Sequence, residues 1–248
     1  MIVLFTDFGY EGPYVGQMKA VLARYAPNVP IIDLMHDAPV FNHHAAAYLL
    51  AAVSSSFPQE SVFLSVVDPE VGHPDRRPVI VRADNRWFVG PGNTLFNTVI
   101  KLATEVDVRE ITWRPPQLSD SFHGRDLFAP VAAQLALGRM PDAEGIPVTD
   151  LPGSEWPSDL YEIIYFDRYG NAMTGIQAES LGTDQHLLIR NQTLEYSRTF
   201  SLAEKGRPFW YRNSVGLVEL ALYGDSVAER LNLCVGDKLA IQDPAPGP

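Results

Sequence analysis

The chain has 248 residues, 46% hydrophobic and 20% charged, with a net charge of -11. That composition fits a globular protein with a sizeable core, and the charge argues against nucleic-acid or anionic-membrane partners, which select basic surfaces. The single cysteine, Cys234, excludes an internal disulfide and a cysteine-based zinc cluster.

Ile2 to Phe5 reads as a short buried strand, with Thr6-Asp7-Phe8-Gly9 at its carboxyl end. The N-terminus has no basic segment and soon meets Asp7, so it does not read as a signal peptide. No apolar run approaches the ~20 residues that span a bilayer, so the expected location is cytoplasmic. Pro13 suits a first helical turn. Tyr14, Met18, Val21 and Leu22 then recur at helical spacing to about Tyr25. Asp7 is either a loop residue satisfying nearby backbone N–H groups or a carboxylate for a diol, as in nucleotide-binding α/β folds.

Ile31 to Leu34 is a second strand, and Asn42 can cap a helix running to about Val53. His43 and His44 are adjacent, so on a helix they cannot share one metal; both read as surface or interface residues. Phe41, just before the helix, suits a core or a stacking role. A third strand, Val62 to Val67, ends in Asp68-Pro69-Glu70-Val71-Gly72 with Arg76-Arg77 close behind. Ligands bind beyond the carboxyl ends of such strands in open α/β sheets, which places Asp68 where chemistry is done. The competing reading is a turn residue before Pro69 with solvated arginines.

Val79 to Val81 and Trp87 to Val89 read as a hairpin-like pair around Ala83-Asp84-Asn85. A helix from about Thr94 to Thr104 follows Gly90-Pro91-Gly92-Asn93. That turn lacks the GxxxxGK[ST] pattern and no GxGxxG occurs, so neither a nucleoside triphosphate nor NAD is expected. Val108 to Thr112 is another strand. Phe122-His123-Gly124-Arg125-Asp126 then precedes a helix over Leu127 to Leu137. His123 is either a solvated loop histidine or a group placed where backbone can approach a ligand.

Proline and glycine crowd residues 141–157, which reads as a linker. Short alternating segments follow, from Glu162 to Ile241, with one short helix near Ser226. The fold class is therefore an α/β domain over 1–140, with a central mostly parallel sheet flanked by helices, and a small all-β barrel over 158–248. Two barrel loops are rich in functional groups: Asp167-Arg168-Tyr169-Gly170-Asn171 and Asn213-Ser214-Val215-Gly216. Both also look like ordinary hairpin turns.

In order, Thr6-Asp7-Phe8-Gly9, Val67-Asp68-Pro69 with Arg76-Arg77, Gly90-Pro91-x-Asn93, Phe122-His123-Gly124-Arg125-Asp126, Asp167-Arg168-Tyr169-Gly170-Asn171 and Asn213-Ser214-x-Gly216 resemble the S-adenosyl-L-methionine hydroxide adenosyltransferases. Each motif alone is weak; six in order across both domains are specific. The resemblance implies hydrolysis of S-adenosyl-L-methionine (SAM) to adenosine and methionine, with no metal and no cofactor, in a homotrimer with active sites between subunits. It implies that Asp68, Arg76 and His123 surround the attacking water, with Arg77 the alternative arginine. It further implies Asp7 on the ribose hydroxyls, Phe41 and Phe122 against the substrate, and Asp167, Asn171 and Ser214 on the methionine ammonium and carboxylate. The chain departs from the family at Gly12, where an acidic residue is common, and at Glu70, where glycine is common. Three alternatives stand beside this reading: a halide-using SAM adenosyltransferase, a non-catalytic adenosine- or SAM-binding protein, and a metal-dependent hydrolase using His36, His43, His44 or His73. The halogenating relatives carry a tyrosine where this chain has Asp68, and the histidine spacing fits no metal motif.

Overall fold

The computed structural model describes residues 1–73 and 75–242. Contacts divide the chain into two compact units, Met1–Trp156 and Pro157–Pro248.

The first unit opens with β1 (Ile2–Thr6), α1 (Tyr14–Tyr25), β2 (Ile31–Met35), α2 (His43–Ser54) and β3 (Val62–Val66). It continues through β4 (Pro78–Ala83), β5 (Arg86–Pro91), α3 (Asn97–Leu102) and β6 (Val106–Ile111), then α4 (Ala129–Ala136) and β7 (Ala143–Gly145). The seven strands form one sheet in the order β2-β1-β3-β5-β4-β6-β7. All five residues of β1 and of β3 are buried, as expected of strands covered on both faces. Ile2, Leu4, Val62 and Leu64 share a core with Met18 and Leu22 of α1 and Val131 of α4. Phe63 faces the other way, stacked on Phe88 with centroids 4.9 Å apart.

The sheet is mixed rather than mostly parallel. Pairings β2-β1, β1-β3 and β3-β5 are parallel; β5-β4, β4-β6 and β6-β7 are antiparallel. The cause is the Asp84-Asn85 turn, whose φ values of 43° and 63° make a tight two-residue hairpin. Only a longer crossover can return a strand in parallel. Gly90 lies tightly against β3: an added Cβ would stand 2.1 Å from the Ser65 carbonyl oxygen. The stretch read as a linker carries β7, which pairs with β6 through Arg109, Glu110 and Ile111.

The second unit contains β8 (Leu160–Phe166), β9 (Ala172–Gln177), β10 (His186–Ile189), β11 (Gln192–Tyr196), β12 (Phe209–Arg212), β13 (Leu217–Ala221), α5 (Val227–Leu231) and β14 (Ala240–Gln242). Its sheet order is β14-β10-β11-β12-β13-β9-β8, curled as a half-barrel around Trp210, Ile163, Leu187 and Leu220. Backbone bonds from Ile163 N–H to Asp237 and from Leu239 N–H to Tyr161 run between β8 and the approach to β14.

Candidate active site

Strand order places the acids. β1 lies between β2 and β3, so the chain leaves it in opposite directions on its two sides, the crevice where open α/β sheets bind ligands. Thr6 pairs in register with Val66. Asp7 therefore emerges one residue, and Asp68 two residues, beyond the ends of adjacent parallel strands. The two carboxylates feel each other's charge.

The Asp68 side chain is 3% exposed and that of Arg76 16%, with Arg76 Nε 3.9 Å from Asp68 Oδ1. That is an ion-pair distance but too long for a hydrogen bond. Nε is buried and makes no hydrogen bond; the far end of the guanidinium pairs with Glu70. Burial pushes the Asp68 carboxyl above the usual range, while Arg76, His123 and His43 pull it back. Arg77 lies elsewhere, 3.7 Å from Glu110 and 3.6 Å from Asp150.

Asp68, Phe122 and His123 line one pocket of about 420 Å³, together with Phe8, Tyr14, Val66 and Phe128. Its aromatic wall is edge-packed: Tyr14 and Phe8 sit 5.3 and 5.9 Å from Phe122. His123 precedes a π-helical turn, Gly124–Phe128, that leads into α4. Such turns are rare and concentrate at functional sites. Arg125 and Asp126 brace it. Their side chains pair at 2.6 and 2.9 Å, Asp126 accepts the Ser119 N–H, and Arg125 reaches Gln17. The Arg125 hydrogen bond holds the Asp126 carboxyl below its usual range.

Asp7 and Phe41 are brought to each other rather than to that pocket's lining. The Phe41 N–H donates to Asp7 Oδ2 at 3.1 Å. Phe41 has φ of 56° and its ring is 74% exposed. Burial raises the Asp7 carboxyl, and the Phe41 amide opposes the rise. Below them, buried His36 bridges Thr6 Oγ1 at 2.8 Å and Asp33 Oδ1 at 3.2 Å, which fixes the strand end that carries Asp7.

In the second unit, Asp167 and Asn171 close the β8–β9 turn. Asp167 accepts the N–H groups of Tyr169 and Asn171 and the Asn171 side-chain amide, each at 2.8 Å. Gly170 is obligatory there, because its φ is 78° and an added Cβ would stand 2.1 Å from Ser226 Oγ. Ser214 is exposed in the β12–β13 turn. Its neighbour Asn213 accepts the N–H groups of Val215 and Leu217 and donates to buried Glu219 at 2.7 Å. Burial raises the Glu219 carboxyl, against hydrogen bonds from Asn213 and Tyr211. Glu219 and the Tyr211 phenol both lie in the field of Asp167.

His43, read as a surface or interface residue, is half-buried in the single chain, and its imidazole lies in the fields of Arg76 and Asp68. The signal available was the Asn42 cap, which starts α2 at the carboxyl edge of the sheet. Among the described residues, no group of three or more His, Cys, Asp or Glu side chains is placed to hold a metal.

The family model for the SAM hydroxide adenosyltransferase N-terminal domain matches residues 2–145, and that for the C-terminal domain matches residues 161–240. The chain belongs to the SAM hydroxide adenosyltransferase family. Similar to it is the (R)-S-adenosyl-L-methionine hydrolase of Thermus thermophilus, 36% identical over 95% of this chain and 96% of that protein. A protein of the same name from Salinispora arenicola is 35% identical over 95% of each chain. The crystal structure of a conserved protein from Thermotoga maritima superposes with a TM-score of 0.84 at 29% identity, covering 98% of this chain and 100% of the other. Membership of the SAM hydroxide adenosyltransferase family accounts for the order of the six motifs along both units. No helix among the described residues is long and apolar enough to cross a membrane.

Proposed function

We propose that this chain hydrolyses SAM to adenosine and L-methionine by attack of water on ribose C5′. The observation that carries this reading is the buried Asp68 carboxylate beside the unbonded Arg76 Nε–H, with His123 on the same pocket. The relatives named as SAM hydrolases over their full length support it.

SAM already carries a good leaving group, a sulfonium that departs as a neutral thioether. The missing element is an oriented nucleophile. A desolvated carboxylate is more basic than usual, so Asp68 accepts a hydrogen bond from the water and draws its proton. The Arg76 guanidinium stabilises the developing hydroxide. The oxygen–C5′ bond forms as the C5′–sulfur bond breaks, giving adenosine and methionine, and one water proton is released through the Asp68–His123 network. On this reading Asp7 holds the ribose hydroxyls, while Phe41 and Phe122 flank the adenosyl group. Asp167, Asn171 and Ser214 hold the methionine ammonium and carboxylate. No metal or cofactor takes part, the second unit forms a small barrel, and the protein works as a cytoplasmic homotrimer with active sites between subunits.

The test is a product assay with purified protein, SAM and a chelator, resolved by chromatography. Adenosine with methionine in equal amounts supports the reading. Binding without turnover would make the protein a carrier or sensor, and a 5′-halo-adenosine formed with added chloride or fluoride would make it a halide-using transferase. Sedimentation equilibrium tests the trimer separately.

A further inference from the structure

His43 is the first residue of α2, on a turn set by Asn42, whose side chain accepts the Ala45 N–H at 3.0 Å. Its Nδ1 is hydrogen-bonded to Thr94 Oγ1 at 2.5 Å. Thr94 adjoins Asn93, a fully buried residue whose amide donates to the Val67 carbonyl at 2.9 Å and whose oxygen accepts the Leu95 N–H. One loop therefore grips both the imidazole and the residue preceding Asp68. No other part of the reaction scheme uses this histidine.

We propose that His43 is a positioning residue that keeps Asp68 ionised as the solution is acidified, acting from its seat on Thr94. This rests on the reading of Asp68 as the carboxylate that orients water. Burial and then the Arg76 charge hold the imidazole below its ordinary range, so it is neutral near pH 7. On acidification it gains a proton and becomes a cation in the field of Asp68. An added cation favours the carboxylate form of a neighbouring acid, so Asp68 resists protonation. The groups that face Asp68 are Arg76 from its own loop, His123 from the turn before α4, His43 from α2, and the opposing Asp7 from the end of β1. Of these, His43 is the group tied through Thr94 to the loop whose Asn93 holds the Val67 carbonyl.

The experiment is a carboxyl-carbon NMR titration of Asp68 in the substrate-free protein, wild type against His43→Asn. Asparagine can keep a polar atom near the Nδ1 position but cannot gain charge. The expected result is an Asp68 midpoint raised by about half a unit or more in the variant, with the acid limb of kcat/KM for SAM moving the same way. His43→Gln repeats the test should the first variant unfold at lower temperature, and His44→Asn is the control in which the midpoint stays. An unchanged midpoint, or activity lowered by one factor at every pH, overturns the proposal and leaves His43 a structural contact. Failure of the wild type to release adenosine and methionine would instead strike the hydrolase reading, while the titration still decides the role of His43.

Discussion

Arg76 Nε stands 3.9 Å from Asp68 Oδ1, with both side chains largely buried and the Nε–H without a hydrogen bond. A buried ion pair left open in this way has little structural value, since desolvation offsets most of the attraction. It is well suited to acting on a third group. Asp68→Asn retains shape and hydrogen bonding but not basicity, and kcat for SAM hydrolysis should fall by roughly 10²–10⁴-fold. Arg76→Lys keeps the charge but loses the planar fork; a drop of about 10²-fold is expected. Arg77→Lys should stay within a few fold, because Arg77 pairs with Glu110 and Asp150 instead. Steady-state kinetics on the three variants checks this, and a large loss at Arg77 with none at Arg76 would reverse the assignment.

Asp7 has two separable duties. Its Oδ2 accepts the Phe41 amide at 3.1 Å, and on the hydrolase reading it holds the ribose diol. Asp7→Asn can keep an oxygen for Phe41, so the melting temperature should change little while KM rises about tenfold or more. Asp7→Ala also leaves the Phe41 N–H without its acceptor and removes support from a residue at φ 56°, so about 1–3 kcal/mol of stability should be lost as well. Equal melting temperatures for the two variants would show that the Phe41 contact contributes nothing.

Glu219 predicts a pH dependence of stability. Its carboxyl is raised in the folded chain, chiefly by burial. The folded state therefore holds the proton more tightly than the unfolded state. The associated stability is fully present below the unfolded carboxylate range and is lost as pH rises through the folded value. Glu219→Gln keeps partners for Asn213 and Tyr211 without the charge, so this decline should disappear. Denaturant midpoints across pH 4 to 8 measure it; a decline of the same size in the variant would assign the effect to another group.

Gly90 tests the packing of β5 on β3. An added methyl group would overlap the Ser65 carbonyl and press on Phe96. Gly90→Ala should lower stability by roughly 1–3 kcal/mol or more, whereas Gly145→Ala, with no atom within 4 Å of its Cβ position and no positive φ, meets no such obstacle. Thermal unfolding distinguishes them, and equal melting temperatures would mean that the two strands part easily.

Much of the site was written in local sequence. Apolar runs ending in Asp7 and Asp68 marked the carboxyl ends of buried strands, because burial on both faces demands continuous apolar residues and a carboxylate ends them. The helical spacing of Met18 and Leu22, the residues α1 buries, placed that helix, because an amphipathic helix turns one apolar stripe to the core. Periodicity overreached at α3, expected from about Thr94 to Thr104 and observed at Asn97–Leu102. There the Asn93 side chain takes the Leu95 N–H in a local turn that competes with helix.

Residue types and short-range spacing by themselves marked the buried strands, the acids at their ends and the hairpin of β4 with β5, while six motifs in order along the chain carried the resemblance to the family. Tertiary structure alone decided the rest. It set β6 antiparallel beside β4, laid Arg77 against Glu110 and Asp150, and drew His43 to Thr94 across 51 positions of chain. These depend on strand order and register, which join residues far apart in sequence, and no local pattern carries that information.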